Sequence, residues 1–171
     1  VPLTISADDS QRSKIDLGRI EVEASLGPQP GEPVPDFEYK LVDGSTARLS
    51  DLRGKYVLMD FWATWCTPCL AKLPDVERIH RTNLSSGRFA VVGMNLDKDE
   101  STARKFLKSR DLSWQQGLLG DWDTTPVPKQ LGISSVPAYL LIDPQGRLLR
   151  RSSDVAQLEE TVKELIRNRN N

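Results

Sequence analysis

Two cysteines, Cys66 and Cys69, stand three positions apart where a continuous apolar run gives way to helical spacing. They are the only cysteines among 171 residues, and two cysteines placed at random would fall at this separation in about 1 of 87 arrangements. Upstream, Tyr56 to Trp62 is apolar in both alternating sets except at Asp60, the pattern of a strand buried on both faces. Downstream, Leu70, Leu73, Val76 and Ile79 recur at helical spacing across residues 67–84, with Pro74 placed to kink the helix. The pair therefore sits at a helix N-terminus, where unsatisfied N–H groups and partial positive charge stabilise a thiolate. Cys66 is expected to be exposed and to be the attacking nucleophile. Cys69, one turn further in and more buried, is placed to resolve a mixed disulfide. Pro68 is tolerated there because first-turn N–H groups have no intrahelical partner.

Other uses of the pair fare worse. A structural bridge closing so short a loop removes little unfolded-state entropy. Zinc wants four ligands, and His80 is the only histidine; it is expected to be a partly exposed helix residue. Neither a metal nor another cofactor is expected. Hydrophobic and charged contents of 38% and 27% fit an ordinary globular domain, and a net charge of -1 leaves nothing to neutralise nucleic acid phosphates. No apolar run approaches the roughly 20 residues of a membrane helix, so the chain itself is not expected to insert in a membrane.

Along the chain, residues 1–30 read as a polar arm and linker, with a weak strand pattern at Ile20, Val22, Ala24 and Leu26. Residues 31–171 read as one α/β domain. Phe37, Tyr39 and Leu41 alternate before Asp43-Gly44, giving an N-terminal β-hairpin. Phe89 to Leu96 is a second buried strand and Ser101 to Ser109 a helix. Trp114 to Leu118 reads as a short strand, and Ala138 to Arg151 as a hairpin over Pro144-Gln145-Gly146. Val155 to Ile166 closes the chain as an amphipathic helix. This order implies a three-layer sandwich, a mixed central sheet with helices on both faces.

The segment Phe61-Trp62-Ala63-Thr64-Trp65-Cys66-Thr67-Pro68-Cys69 resembles the active-site stretch of thioredoxin-fold proteins, and more closely that of the extracytoplasmic TlpA/ResA group. Pro74, Ser135-Val136-Pro137 and Asp143-Pro144-Gln145-Gly146-Arg147 match the group's kinked helix, cis-proline loop and following hairpin. The resemblance spans roughly residues 31–167. It implies a thioredoxin-like thiol–disulfide oxidoreductase acting through Cys66 and Cys69. It also implies a cis Pro137 beside the cysteines, with Val136 binding an incoming chain in a strand-like pose. Asp60 stands six residues before Cys66, where thioredoxin has a buried aspartate that serves as proton relay. Burial of Asp60 should raise its pKa. Trp65, Thr67 and Pro68 are expected at the substrate contact surface, whereas Trp62, Trp114 and Trp122 are expected to pack. The chain departs from the group in carrying Lys72 three residues after Cys69, where a glutamate is typical, and an acid at Asp60, where a neutral residue is. Thioredoxin's lysine partner of the aspartate is also missing, with Gly93 near the matching position.

These features favour exchange with protein thiols and disulfides, more as reductant than oxidant, with an upstream redox partner to restore the dithiol. A peroxiredoxin-like peroxidase would need Thr three residues before its attacking cysteine, and Ala63 stands there. A non-catalytic thioredoxin-fold binding module is the other alternative. The TlpA-like resemblance and a start at Val1 rather than methionine lead us to expect a leader, anchor or further domain ahead of this sequence. The expected site of action is the periplasm or cell envelope, with the cytoplasm as alternative.

Overall fold

The computed structural model describes residues 27–167, so the strand expected around Ile20 to Leu26 lies outside the described residues. Strands β1 (Glu38–Leu41) and β2 (Thr46–Arg48) form the expected hairpin. Its turn needs glycine, because Gly44 adopts a φ of 94° that a side chain would oppose. A single 3₁₀ turn at Leu49–Leu52 leads into β3 (Tyr56–Trp62), and α1 (Thr67–Leu84) follows. Next come β4 (Phe89–Asn95), α2 (Glu100–Lys108), β5 (Gln115–Leu118) and the one-turn α3 (Val127–Gln130). The chain closes with β6 (Ala138–Ile142), β7 (Leu148–Ser152) and α4 (Ala156–Arg167).

One seven-stranded sheet results, in the order β2-β1-β5-β4-β3-β6-β7. The pairs β3–β4 and β4–β5 are parallel, joined by crossovers through α1 and α2; the other pairs are antiparallel. Strand β3 lies at the middle with all seven residues buried, which is why its sequence is apolar on both faces. Val57, Met59 and Phe61 join a core with Leu49, Val127 and Leu131 on one side. Tyr56 and Leu58 join a second core with Leu73, Val76 and Ile79 of α1 and Leu158 and Val162 of α4 on the other. The expected three-layer α/β sandwich is therefore present, but unevenly covered. Among the described residues, helices α1 and α4 fill one face, with Phe106 of α2 packed against them, while the opposite face has α3, the 3₁₀ turn and connecting segments.

One residue departs from expectation in the helical layer. His80 is 7% exposed rather than a partly exposed helix residue. It continues the Leu73–Val76 stripe of α1, and its ring lies 6.1 Å from that of Trp114. That burial pulls its pKa below the ordinary histidine value. The proline-rich stretch before β1 runs along β7 and is hydrogen-bonded there: Gly31 N–H donates to the Leu148 carbonyl at 2.7 Å, and Val34 N–H to that of Gly146 at 2.9 Å.

Candidate active site

Cys66 is the N-cap of α1, and its sulfur accepts from the Cys69 backbone N–H at 3.2 Å. The two cysteines form a disulfide with Cα atoms 5.3 Å apart. Strand β3 and helix α1 are joined by only four residues, so the strand end delivers the pair straight to the positive end of the helix. In this disulfide form Cys66 is 4% exposed and Cys69 2%, which corrects the expectation of an exposed Cys66. The cause is local packing: both sulfurs share an apolar cluster with Trp62 and Ala63, flanked by Val136, Leu70 and Phe106. Around this covered pair the rim is open. Trp65 is 59% exposed, and Thr67 and Pro68 are exposed beside it.

The Val136–Pro137 peptide is cis, as the resemblance implied, and Val136 is half-buried against the cysteine cluster. Of the expected residues, Cys66, Cys69 and Val136 thus share one cluster, with Pro137 next to Val136 in the chain and Trp65, Thr67 and Pro68 flanking the cysteines at exposed positions. Trp62 packs beneath them, its indole N–H donating to Gln116 Oε1 at 3.2 Å. Trp114 packs in the core on the α1 face and Trp122 against the opposite core.

Asp60 is separate from this rim. It lies within β3, opposite Gly93 of β4 and Tyr139 of β6, on the face that α1 covers. It is 2% exposed, and its Oδ1 has no hydrogen-bond partner among the described residues. Burial away from water pushes its pKa up to about 7. A carboxyl that is half ionised near neutrality can both take and return a proton. Tyr139 is also buried and its hydroxyl pKa is raised, by burial first and then by the Asp60 charge. Lys72, which stands where a glutamate was typical, turns outward instead and ties α1 to Asp154 at 3.1 Å.

Sequence reasoning missed a second buried carboxylate, Asp97, 3% exposed beyond the end of β4. Thr64 donates to it from its backbone N–H at 3.1 Å and from its hydroxyl at 2.8 Å. Asn95 donates from its amide at 2.7 Å and accepts from the Asp97 N–H at 3.0 Å. This network fixes the loop that carries Trp65 and presents Cys66. The signal available was Asn95-Leu96-Asp97, two polar residues at alternate positions closing an otherwise apolar strand.

The Redoxin family description matches residues 29–166. Among characterised proteins, the chain is similar to the thioredoxin-like protein YneN of Bacillus subtilis. Identity is 31% over 129 residues, covering 71% of this chain and 69% of that one. It is 33% identical over 130 residues to the thiol–disulfide oxidoreductase ResA of Oceanobacillus iheyensis, covering 69% of this chain and 62% of that protein. The thioredoxin domain of a thiol–disulfide oxidoreductase from Bacteroides vulgatus superposes with a TM-score of 0.74 at 26% identity. That match covers 81% of this chain and 98% of the domain. The matched region holds the central strand, the cysteine pair, the helix and the Val136–Pro137 loop together. The chain accordingly belongs to the Redoxin family, as a TlpA/ResA-like thiol–disulfide oxidoreductase.

Proposed function

We propose that the protein reduces disulfides in protein substrates, with Cys66 as attacking thiolate, Cys69 as resolving thiol and Asp60 as the group that takes the Cys69 proton. The observation that carries this reading is the Cys66–Cys69 disulfide at the head of α1, over a strand that buries Asp60. In the reduced enzyme the Cys66 thiolate attacks one substrate sulfur, forming a mixed disulfide while the other leaves as a thiolate and is protonated. Cys69 then passes its proton to the Asp60 carboxylate and attacks the Cys66 sulfur. The Cys66–Cys69 bond forms, the mixed disulfide breaks, and the substrate's second sulfur leaves as a thiolate that takes up a proton, so that the substrate departs as a dithiol carrying two electrons. A dithiol partner upstream must restore the enzyme.

Exposed Trp65, Thr67 and Pro68 with half-buried Val136 offer a largely apolar rim, suited to an extended chain laid across the cysteines. A peroxidase reading is disfavoured because Ala63 stands three residues before Cys66, and the neighbouring Thr64 hydroxyl is committed to Asp97. Residues 1–30 serve as an arm to the domain formed by residues 31–171, and the protein acts in the periplasm or cell envelope. Among the described residues no helix is long and apolar enough to cross a membrane.

The test is trapping. Cys69→Ser is expected to accumulate a mixed disulfide with substrate protein during insulin reduction, and Cys66→Ser is not. Trapping through Cys69 alone would reverse the two roles. No insulin reduction by the wild type in dithiothreitol would leave a non-catalytic binding module.

A further inference from the structure

The sheet places four residues in one row across three strand boundaries. Tyr139 pairs with Asp60, Asp60 with Gly93, and Gly93 with Gln116. Cross-strand partners point to the same face, so this row lies under α1, with Trp62 two residues along β3 from Asp60. Three buried polar atoms in the row have no partner among the described residues: Asp60 Oδ1, Gln116 Nε2 and the Tyr139 hydroxyl. Such atoms are rare in native interiors, and three in one row of four residues call for a shared explanation.

Gln116 supplies it. The indole N–H of Trp62 can only donate, so the Gln116 atom it meets at 3.2 Å is Oε1, and the amide orientation is fixed. Both Nε2 protons are then left as donors. The amide lies over Gly93: a Cβ there would sit 2.2 Å from Oε1 and 2.9 Å from Nε2. Glycine thus vacates the position beside Asp60, and the Gln116 amide fills it. Adjacent strands are about 4.8 Å apart, a span that one bridging water covers with two hydrogen bonds of about 2.9 Å.

We propose that Gln116 is a positioning residue for Asp60: across Gly93, its Nε2–H donates through one internal water to the Asp60 carboxylate, favouring the charged form that accepts the Cys69 proton. A neutral amide thereby does the work of a cationic partner, lowering the carboxylate's burden without neutralising it. Gln116 also lines a cleft of about 450 Å³ with Leu107 and Leu112. The groups facing Asp60 are few. Tyr139 of β6 is its cross-strand neighbour and feels its charge. Lys72, Asp75 and Asp154 lie outward at partly exposed positions.

The rate consequence rests on the acid–base role proposed above for Asp60; the titration does not. In the oxidised protein, where neither cysteine titrates, carbon-13 NMR reads the Asp60 carboxyl directly. Gln116→Leu should raise its midpoint by about one pH unit, the effect of losing one donor to a charged acceptor. Gly93→Ala should do the same by displacing the amide, a flexible side-chain end, and the double variant should add nothing further. In turnover, Gln116→Leu should lose about fivefold at pH 7 and recover at high pH, as the ionised fraction dictates. A Gln116→Leu midpoint within 0.2 pH units of wild type, or additive shifts in the double variant, overturns the assignment. Should Gln116→Leu not fold, the Gly93→Ala midpoint alone decides. A shifted midpoint with unshifted turnover would retain Gln116 as partner and remove Asp60 from the reaction.

Discussion

Asp60 stands in the least hospitable position for a charge in this chain, inside a strand whose every residue is buried. Its pKa is raised from 3.8 to about 7, so the folded protein binds a proton at that site more tightly than the unfolded chain does. Stability therefore falls as pH rises from about 4 to about 7 and is flat with respect to this group above that window. The loss is bounded at roughly 4 kcal/mol by the linkage relation. Asp60→Asn lacks this loss. Denaturant unfolding of the oxidised protein should show the variant more stable than wild type at pH 8, on the order of 1 kcal/mol or more. The advantage should vanish at pH 4. Equal stabilities at both pH values would mean that Asp60 is not buried as a poorly served carboxyl. In the same variant, release of the mixed disulfide should slow, with roughly 100-fold as the scale of a lost general base; stopped-flow turnover near neutral pH measures it.

At the level of elements, the β3-to-α1 joint is what converts a pattern into a site. Its parts were legible in the sequence because each has its own signature: the double-sided apolar run of Tyr56 to Trp62, the Leu70–Ile79 spacing, and the cysteines between them. What holds the joint was not legible. Asp97 lies 31 residues beyond Cys66 in the chain and reaches Thr64 only because β4 runs parallel to β3 and ends beside it. Gln116 was hidden for the same reason, since its meaning depends on register across two strand boundaries and on a glycine between. The burial of Cys66 and of His80 was also misjudged, because helical periodicity gives the buried stripe of a helix but not how far neighbouring loops and strands cover its edges. Asp97→Ala removes a buried acceptor from the Thr64 N–H and hydroxyl and from the Asn95 amide together. It should cost about 3 kcal/mol in equilibrium unfolding and lower turnover with Cys66 and Cys69 intact. Lys72→Ala, by contrast, breaks two partly exposed ties, to Asp154 and Asp75, and should leave the unfolding midpoint unmoved.

For the whole molecule, the direction of electron flow is a stability difference between two folded states. The reduction potential of the pair relative to an unfolded dithiol equals the difference in unfolding free energy between disulfide and dithiol forms, with 30 mV equivalent to about 1.4 kcal/mol. A strong oxidant owes its potential to a reduced form more stable than its oxidised one, as when a helix N-terminus and neighbouring cations hold the thiolate. This protein has the helix N-terminus at Cys66, yet the pair lies in an apolar cluster over a strand that carries Asp60, and the Arg110 guanidinium reaches that cluster only through the Phe106 ring, 5.5 Å from its centroid. Burial disfavours a thiolate, and in the role proposed for Asp60 its carboxylate disfavours it further. The disulfide form carries neither cost. Oxidised protein should accordingly unfold at higher denaturant concentration than the same protein held in dithiothreitol, and the gap should widen from pH 5 to pH 8 as Asp60 ionises beneath the reduced pair. A reduced form that is the more stable of the two at pH 7 would make the protein an oxidant of its substrates. The Cys66–Cys69 chemistry would stand, but the two electrons would travel in the opposite direction.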